Sequence, residues 1–108
     1  MKFSSRTYTI IQRMCKRYGA DSQIDVCIEE MSELTKALIK SRRSKLYTRE
    51  SEYDGVQEIK EEIADVYLML EYIKHIFNLS EYDINILVTQ KAERTMRRYL
   101  NETNTDSK

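Results

Sequence analysis

Apolar residues recur along this chain at helical rather than alternating intervals. Tyr8, Ile11, Met14, Cys15 and Tyr18 fall at steps of three and four, the spacing of one helix face. The pattern predicts a first helix from about Ser4 to Tyr18, with Gly19 as its C-terminal stop. A second helix is predicted from about Ser22 to Ser41. Its stripe is Cys27, Met31, Leu34 and Leu38, widened by Val26 and Ala37, and Ser22 with Asp25 reads as a capping box with Asp in place of Glu. A third is predicted from about Gly55 to Phe77, with Asp54 as N-cap and Val56, Ile59, Ile63, Val66, Leu70 and Phe77 as its stripe. The fourth runs from Ser80 to about Leu100, with Asp83 three residues past its first residue. Between helices two and three, Arg42 to Asp54 is polar and longer than a tight helix connection. It reads equally as a segment that closes over a ligand and as a solvated crossover. Asn101 to Lys108 is polar and is expected to fray, leaving residues 1–100 as a single helical domain.

Composition narrows this to an all-α, four-helix class. The chain has 108 residues, no proline and two glycines, too few turn-makers for a many-stranded β fold. Two cysteines cannot staple a disulfide scaffold, so Cys15 and Cys27 are expected to be reduced thiols used as small apolar residues. The N-terminal stretch carries Lys2, Arg6, Arg13, Lys16 and Arg17 and no acid, but its spacing fits a helix better than a targeting peptide. No apolar run approaches membrane-spanning length, and a cytoplasmic address with no membrane partner is expected. Lys and Arg number 18, Asp and Glu also 18, and this balance argues against a protein that coats nucleic acid.

The acids sit where a plain helical bundle would not put them. On helix two, Glu30 falls between the apolar stripe and the Val26/Ala37 edge, with Glu33 just beyond. On helix three, Glu62 adjoins Val66, Met69 and Ile73, and Asp65 adjoins Met69, Tyr72 and Ile76. A spacing of three keeps both members of each pair on one face. A single helical Glu is ordinarily solvated surface. Two pairs, each bordered by apolar residues, point instead to four carboxylates that converge if the helices pack. Protons or a divalent cation would relieve their repulsion, and an oxygen-only donor set selects Mg²⁺ or Mn²⁺. A di-iron site needs Glu-x-x-His pairs. The only histidine, His75, has Tyr72 three residues before it, so it is expected to be structural or surface-exposed.

Glu29-Glu30-Met31-Ser32-Glu33 forms an E-E-x-x-E motif and Glu62-Ile63-Ala64-Asp65 an E-x-x-D motif. The pair is similar to the signature of the MazG-type all-α nucleoside triphosphate pyrophosphohydrolases. Tyr18-Gly19, Gln23, Ile28, Leu34 and Val66 extend the resemblance, as does the basic run Gln90-Lys91, Arg94-Thr95 and Arg98-Tyr99, over about residues 18–100. The resemblance implies an oligomerising MazG-like four-helix bundle, a homodimer or homotetramer. It implies hydrolysis of a (d)NTP to the monophosphate and pyrophosphate with Mg²⁺, Mn²⁺ serving as a substitute. Glu30, Glu33, Glu62 and Asp65 would be the metal ligands, and Glu29 or Glu30 would handle the attacking water. Lys91, Arg94 and Arg98, at i, i+3 and i+7, would receive phosphate, with Lys40 as a further candidate. Where some members carry an Asn-Arg pair, this chain has Thr95-Met96. For the base, Gln23 and Tyr8 are the candidates, with Gln12, Tyr47 and Tyr53 as further possibilities. Two alternatives stand beside this reading. One is a specialised pyrophosphatase acting on dCTP, dUTP or phosphoribosyl-ATP. The other is a non-catalytic helical interaction module.

These assignments change the meaning of the zero net charge. Residues 36–49 hold six bases and no acid, residues 50–71 eight acids and one base, and residues 91–98 four bases and one acid. Acids for a metal and bases for phosphates are segregated, as a metal–triphosphate site would need.

Overall fold

A computed structural model describes residues 2–44 and 53–106. Four helices follow one another: α1 (Ser5–Tyr18), α2 (Ala20–Ser44), α3 (Tyr53–Ile76) and α4 (Glu81–Asp106). No strand occurs among the described residues. Two compact units make up the chain, residues 1–78 with α1–α3 and residues 79–108 with α4.

The ends of α1 are fixed by local chemistry. Ser4 Oγ accepts the Thr7 N–H at 3.2 Å, a side-chain N-cap. At the other end Gly19 takes φ +85° and donates its N–H to the Cys15 carbonyl at 2.9 Å. Glycine reaches this backbone region without the steric penalty of a Cβ. The capping box expected at Ser22 and Asp25 does not form. α2 begins two residues earlier, because the Gly19 carbonyl already accepts the Gln23 N–H and starts the helix. α2 also runs past the predicted stop at Ser41 to Ser44, and α3 starts at Tyr53, one residue before the expected cap. The remainder of the predicted connection, Tyr47 included, lies outside the described residues.

α2 and α3 form an antiparallel hairpin. Lys40 pairs with Glu58, Glu30 meets Glu62 and Asp65, and Cys27 packs with Met69, so one helix number rises as the other falls. The core is small. Ile11 (2% exposed), Cys27, Met69 and Tyr72 form it, with Tyr8, Met14, Cys15, Val26 and Ile73 packed around.

The packed faces overlap the expected stripes at Cys27, Leu34, Ala37, Ile59 and Val66 but are turned from their centres. On α2 the inward stripe is Gln23, Cys27, Glu30, Leu34, Ala37 and Ser41, while Met31 and Leu38 are about half exposed. On α3 it is Ile59, Glu62, Val66, Met69, Ile73 and Ile76, while Val56, Ile63, Leu70 and Phe77 are exposed. At 100° per residue the inward faces are turned by roughly 50° on α2, measured from Cys27, Met31, Leu34 and Leu38, and by roughly 70° on α3. Both turns move toward the acids.

α3 ends where Phe77 donates to the Ile73 carbonyl and Asn78 adopts φ +53°. Asn tolerates that left-handed geometry better than most side chains. In the second unit Ser80 Oγ accepts the Asp83 N–H at 3.4 Å, as its position before α4 predicts. α4 continues past Leu100 to Asp106. Neither Pro nor Gly follows Leu100 to stop the helix, and the Thr103 hydroxyl bonds back to the Tyr99 carbonyl. The edge of the first compact unit falls between Asn78 and Leu79.

Candidate metal and phosphate site

Because α2 and α3 pack through their acid-bearing faces, carboxylates meet across the hairpin. One oxygen each from Glu30, Glu62 and Asp65 lies within 4.8 Å of the others. Glu30 and Glu62 are half-buried and Asp65 is exposed, so the group opens to solvent on one side. Glu62 Oε2 is buried with no hydrogen-bond partner. A carboxylate oxygen out of water and unpaired is costly, and native structures rarely leave one without a partner.

Electrostatics reinforces this. Burial first, and then the charges of Asp65, Glu62 and Glu29, push the Glu30 carboxyl above its ordinary value, and a side-chain hydrogen bond with Asp65 adds to the shift. Glu62 is raised first by burial and then by Asp65, Glu33, Glu58 and Glu61. The group therefore favours taking up positive charge, either protons or a cation.

The other expected residues divide. Glu33 lies outside the group of three but close enough to act on Glu62, and its Oε1 is 3.3 Å from Lys36 Nζ. Glu29 is exposed beside Glu30. Lys40 is exposed and crosses to Glu58 on α3 at 3.7 Å. Gln23 is buried in the inward stripe of α2, and Tyr8 packs against the core with its hydroxyl accepting the Phe3 N–H at 3.1 Å. The structure thus puts both proposed base-binding residues in packing positions. Lys91, Arg94 and Arg98 are exposed on α4, in the second unit. His75 and Cys15 belong to neither acid pair and line a separate cleft of about 510 Å³ with Gln12 and Lys16.

Two residues were missed. Glu58, one turn before Glu62 on the same face, adds to the charge on it, and the i, i+4 spacing carried that signal. Lys36, three residues after Glu33, was equally readable as its partner.

The donor set is carboxylate only. Among the described residues no His or Cys joins the three acids. That chemistry suits a hard divalent cation such as Mg²⁺ or Mn²⁺, and the orphaned Glu62 oxygen would gain a partner from one. No protein-family profile, curated protein or solved structure matches this chain.

Proposed function

We propose that this protein is a Mg²⁺-dependent nucleoside triphosphate pyrophosphohydrolase that converts a (d)NTP and water to the (d)NMP and pyrophosphate. The observation that carries the reading is the convergence of Glu30, Glu62 and Asp65 around an unpaired, buried Glu62 oxygen. The resemblance of the E-E-x-x-E and E-x-x-D motifs to the MazG-type enzymes supports it.

In this reading Glu30, Glu62 and Asp65 hold the metal from both helices, with Glu33 at the edge of the group. Bound there, Mg²⁺ would neutralise triphosphate charge and polarise the attacked phosphorus. Water attack at the α-phosphorus forms one P–O bond and breaks the bond to the bridging oxygen, whose electron pair leaves with pyrophosphate. Glu29, or Glu30 where it is not committed to metal, accepts the water's proton. The resemblance assigns phosphate oxygens to Lys40 and, separately on α4, to Lys91, Arg94 and Arg98. In this reading the substrate is a free nucleotide rather than a nucleic-acid polymer, and the protein serves nucleotide pool control or housecleaning in the cytoplasm. No helix among the described residues is long and apolar enough to cross a membrane. The reading also includes a MazG-like four-helix bundle that assembles as a homodimer or homotetramer. The exposed Val56, Tyr67, Leu70 and Phe77 supply apolar surface for such association.

The test is direct. Purified protein is incubated with a panel of NTPs and dNTPs plus Mg²⁺ or Mn²⁺, and products are separated. Pyrophosphate and a monophosphate are expected. Release of orthophosphate would refute the cleavage position. No turnover together with no metal binding would leave the helical interaction module as the better reading.

A further inference from the structure

Charge is segregated along α2. From Ala20 to Glu33 every charged residue is an acid: Asp21, Asp25, Glu29, Glu30 and Glu33. From Lys36 to Arg43 every one is a base: Lys36, Lys40, Arg42 and Arg43. Acids first and bases last suit the helix dipole. The dipole does not explain why three of the bases share a side. Lys36, Lys40 and Arg43 fall within an arc of roughly 60°, adjoining the side that carries Glu33. With Ile39 and Ser44 they line an open groove of about 570 Å³.

Two of these bases touch the edge of the acid group. Lys36 Nζ lies 3.3 Å from Glu33 Oε1, and Lys40 Nζ lies 3.7 Å from Glu58 Oε2 across the hairpin. Glu33 and Glu58 are both among the charges that bear on Glu62. The two lysine side chains are 71% and 72% exposed. Exposed pairs of this kind are weak, so each lysine can exchange its carboxylate for a phosphate oxygen at little cost. Arg43, nearly one turn past Lys40, adds a planar fork of donors suited to phosphate.

We infer that Lys36, Lys40 and Arg43 seat the pyrophosphate end of a polyphosphate chain, so that a triphosphate lies along α2 with its leaving group toward the C-terminal end of the helix. The inference rests on the pyrophosphohydrolase reading for the reaction but not for the binding. The opposite orientation would lay phosphate charge beside Asp25 and Glu29 and be repelled.

The full chain is titrated with inorganic pyrophosphate by calorimetry, once in EDTA and once with Mg²⁺. The variants are Lys36→Met, Lys40→Met and Arg43→Met, with Lys60→Met as a control cation on the exposed side of α3. Each groove variant should weaken pyrophosphate binding by about five- to tenfold, and added salt should weaken it further. The control should bind as wild type does. In hydrolysis assays the groove variants should raise KM for the triphosphate while the thermal response to Mg²⁺ alone stays unchanged. Wild-type protein that binds no pyrophosphate in either condition overturns the inference, as do groove variants that bind it as tightly as wild type. Groove-dependent binding without nucleotide hydrolysis would keep the phosphate seat and remove the catalytic reading. Hydrolysis with unchanged groove variants would do the reverse.

Discussion

Removing the cation, or the carboxylates that would hold it, should change stability with a definite sign. Glu30 and Glu62 are raised above the ordinary carboxylate value in the folded chain. Without metal, the folded state therefore holds protons that the unfolded state has already lost. The associated stability is fully present below the unfolded value of 4.5 and is lost as pH rises through the raised values. A cation competes with those protons, so its benefit should grow over the same interval. At a Mg²⁺ concentration 100 times its Kd, mass action adds about 2.7 kcal/mol. The unit that carries the acid group spans residues 1–78. For a unit of that size each kcal/mol moves the melting temperature by about 4–8 °C, so the expected rise is roughly 10–20 °C at pH 8. The rise should shrink toward pH 5. The assay is thermal melting by circular dichroism, with EDTA or MgCl₂, from pH 5 to pH 8. Glu62→Gln should melt at or above the wild-type temperature in EDTA at pH 8, since the amide relieves repulsion and can donate to Asp65. It should lose most of the response to Mg²⁺. A Mg²⁺ shift of equal size at all pH values, or one retained in full by Glu62→Gln, would refute the reasoning.

Three further outcomes are expected. Glu30→Gln and Asp65→Asn should each reduce kcat for triphosphate hydrolysis by about 10²-fold or more without loss of helical signal, as measured by product analysis and far-ultraviolet circular dichroism. Ile11→Ala removes the most buried side chain of a small core and should destabilise by about 2–5 kcal/mol, read from urea unfolding. Gly19→Ala meets no atom within 4 Å but must adopt φ +85°. It should cost about 1–3 kcal/mol from backbone strain alone, and a variant as stable as wild type would show that the α1–α2 junction had rearranged.

The four helices were legible because their stripes repeat at intervals of three and four, and because Ser4, Gly19 and Ser80 mark ends in their side chains and backbone. The start of α2 was not legible. Ser22 looked like a cap, but Gly19 both ends α1 and opens α2, and a one-residue junction leaves no sign beyond the glycine itself. The acid group was readable for Glu30, Glu62 and Asp65 from the paired spacing. Glu33 was grouped with them by sequence, yet it reaches toward Lys36. Helical periodicity fixes which side of its own helix a residue occupies. It does not fix which side turns toward the neighbouring helix. The burial of Gln23 and the packing of Tyr8 against the core show the same limit, since neither follows from periodicity alone.

That rotation links the two most unusual features of the first unit. Had α2 and α3 packed on their apolar stripes, Met31 and Leu38 would have met the α3 stripe and left the acids at the edge. Instead the small residues Ala37 and Ser41 sit buried on α2, on the face that also carries Glu30. Burying apolar surface contributes about 25 cal/mol per Å², so leaving Val56, Leu70 and Phe77 outside forgoes stability that an isolated hairpin could have gained. Bringing Glu30 and Glu62 together adds repulsion to that loss. A sequence selected only to fold would resolve both conflicts by turning the helices back. Local rules are broken in this way where a site must be built. The same choice of helix face gathers Glu30, Glu62 and Asp65 and leaves Val56, Leu70 and Phe77 outward, so the proposed cation site and the proposed association surface would be two consequences of it.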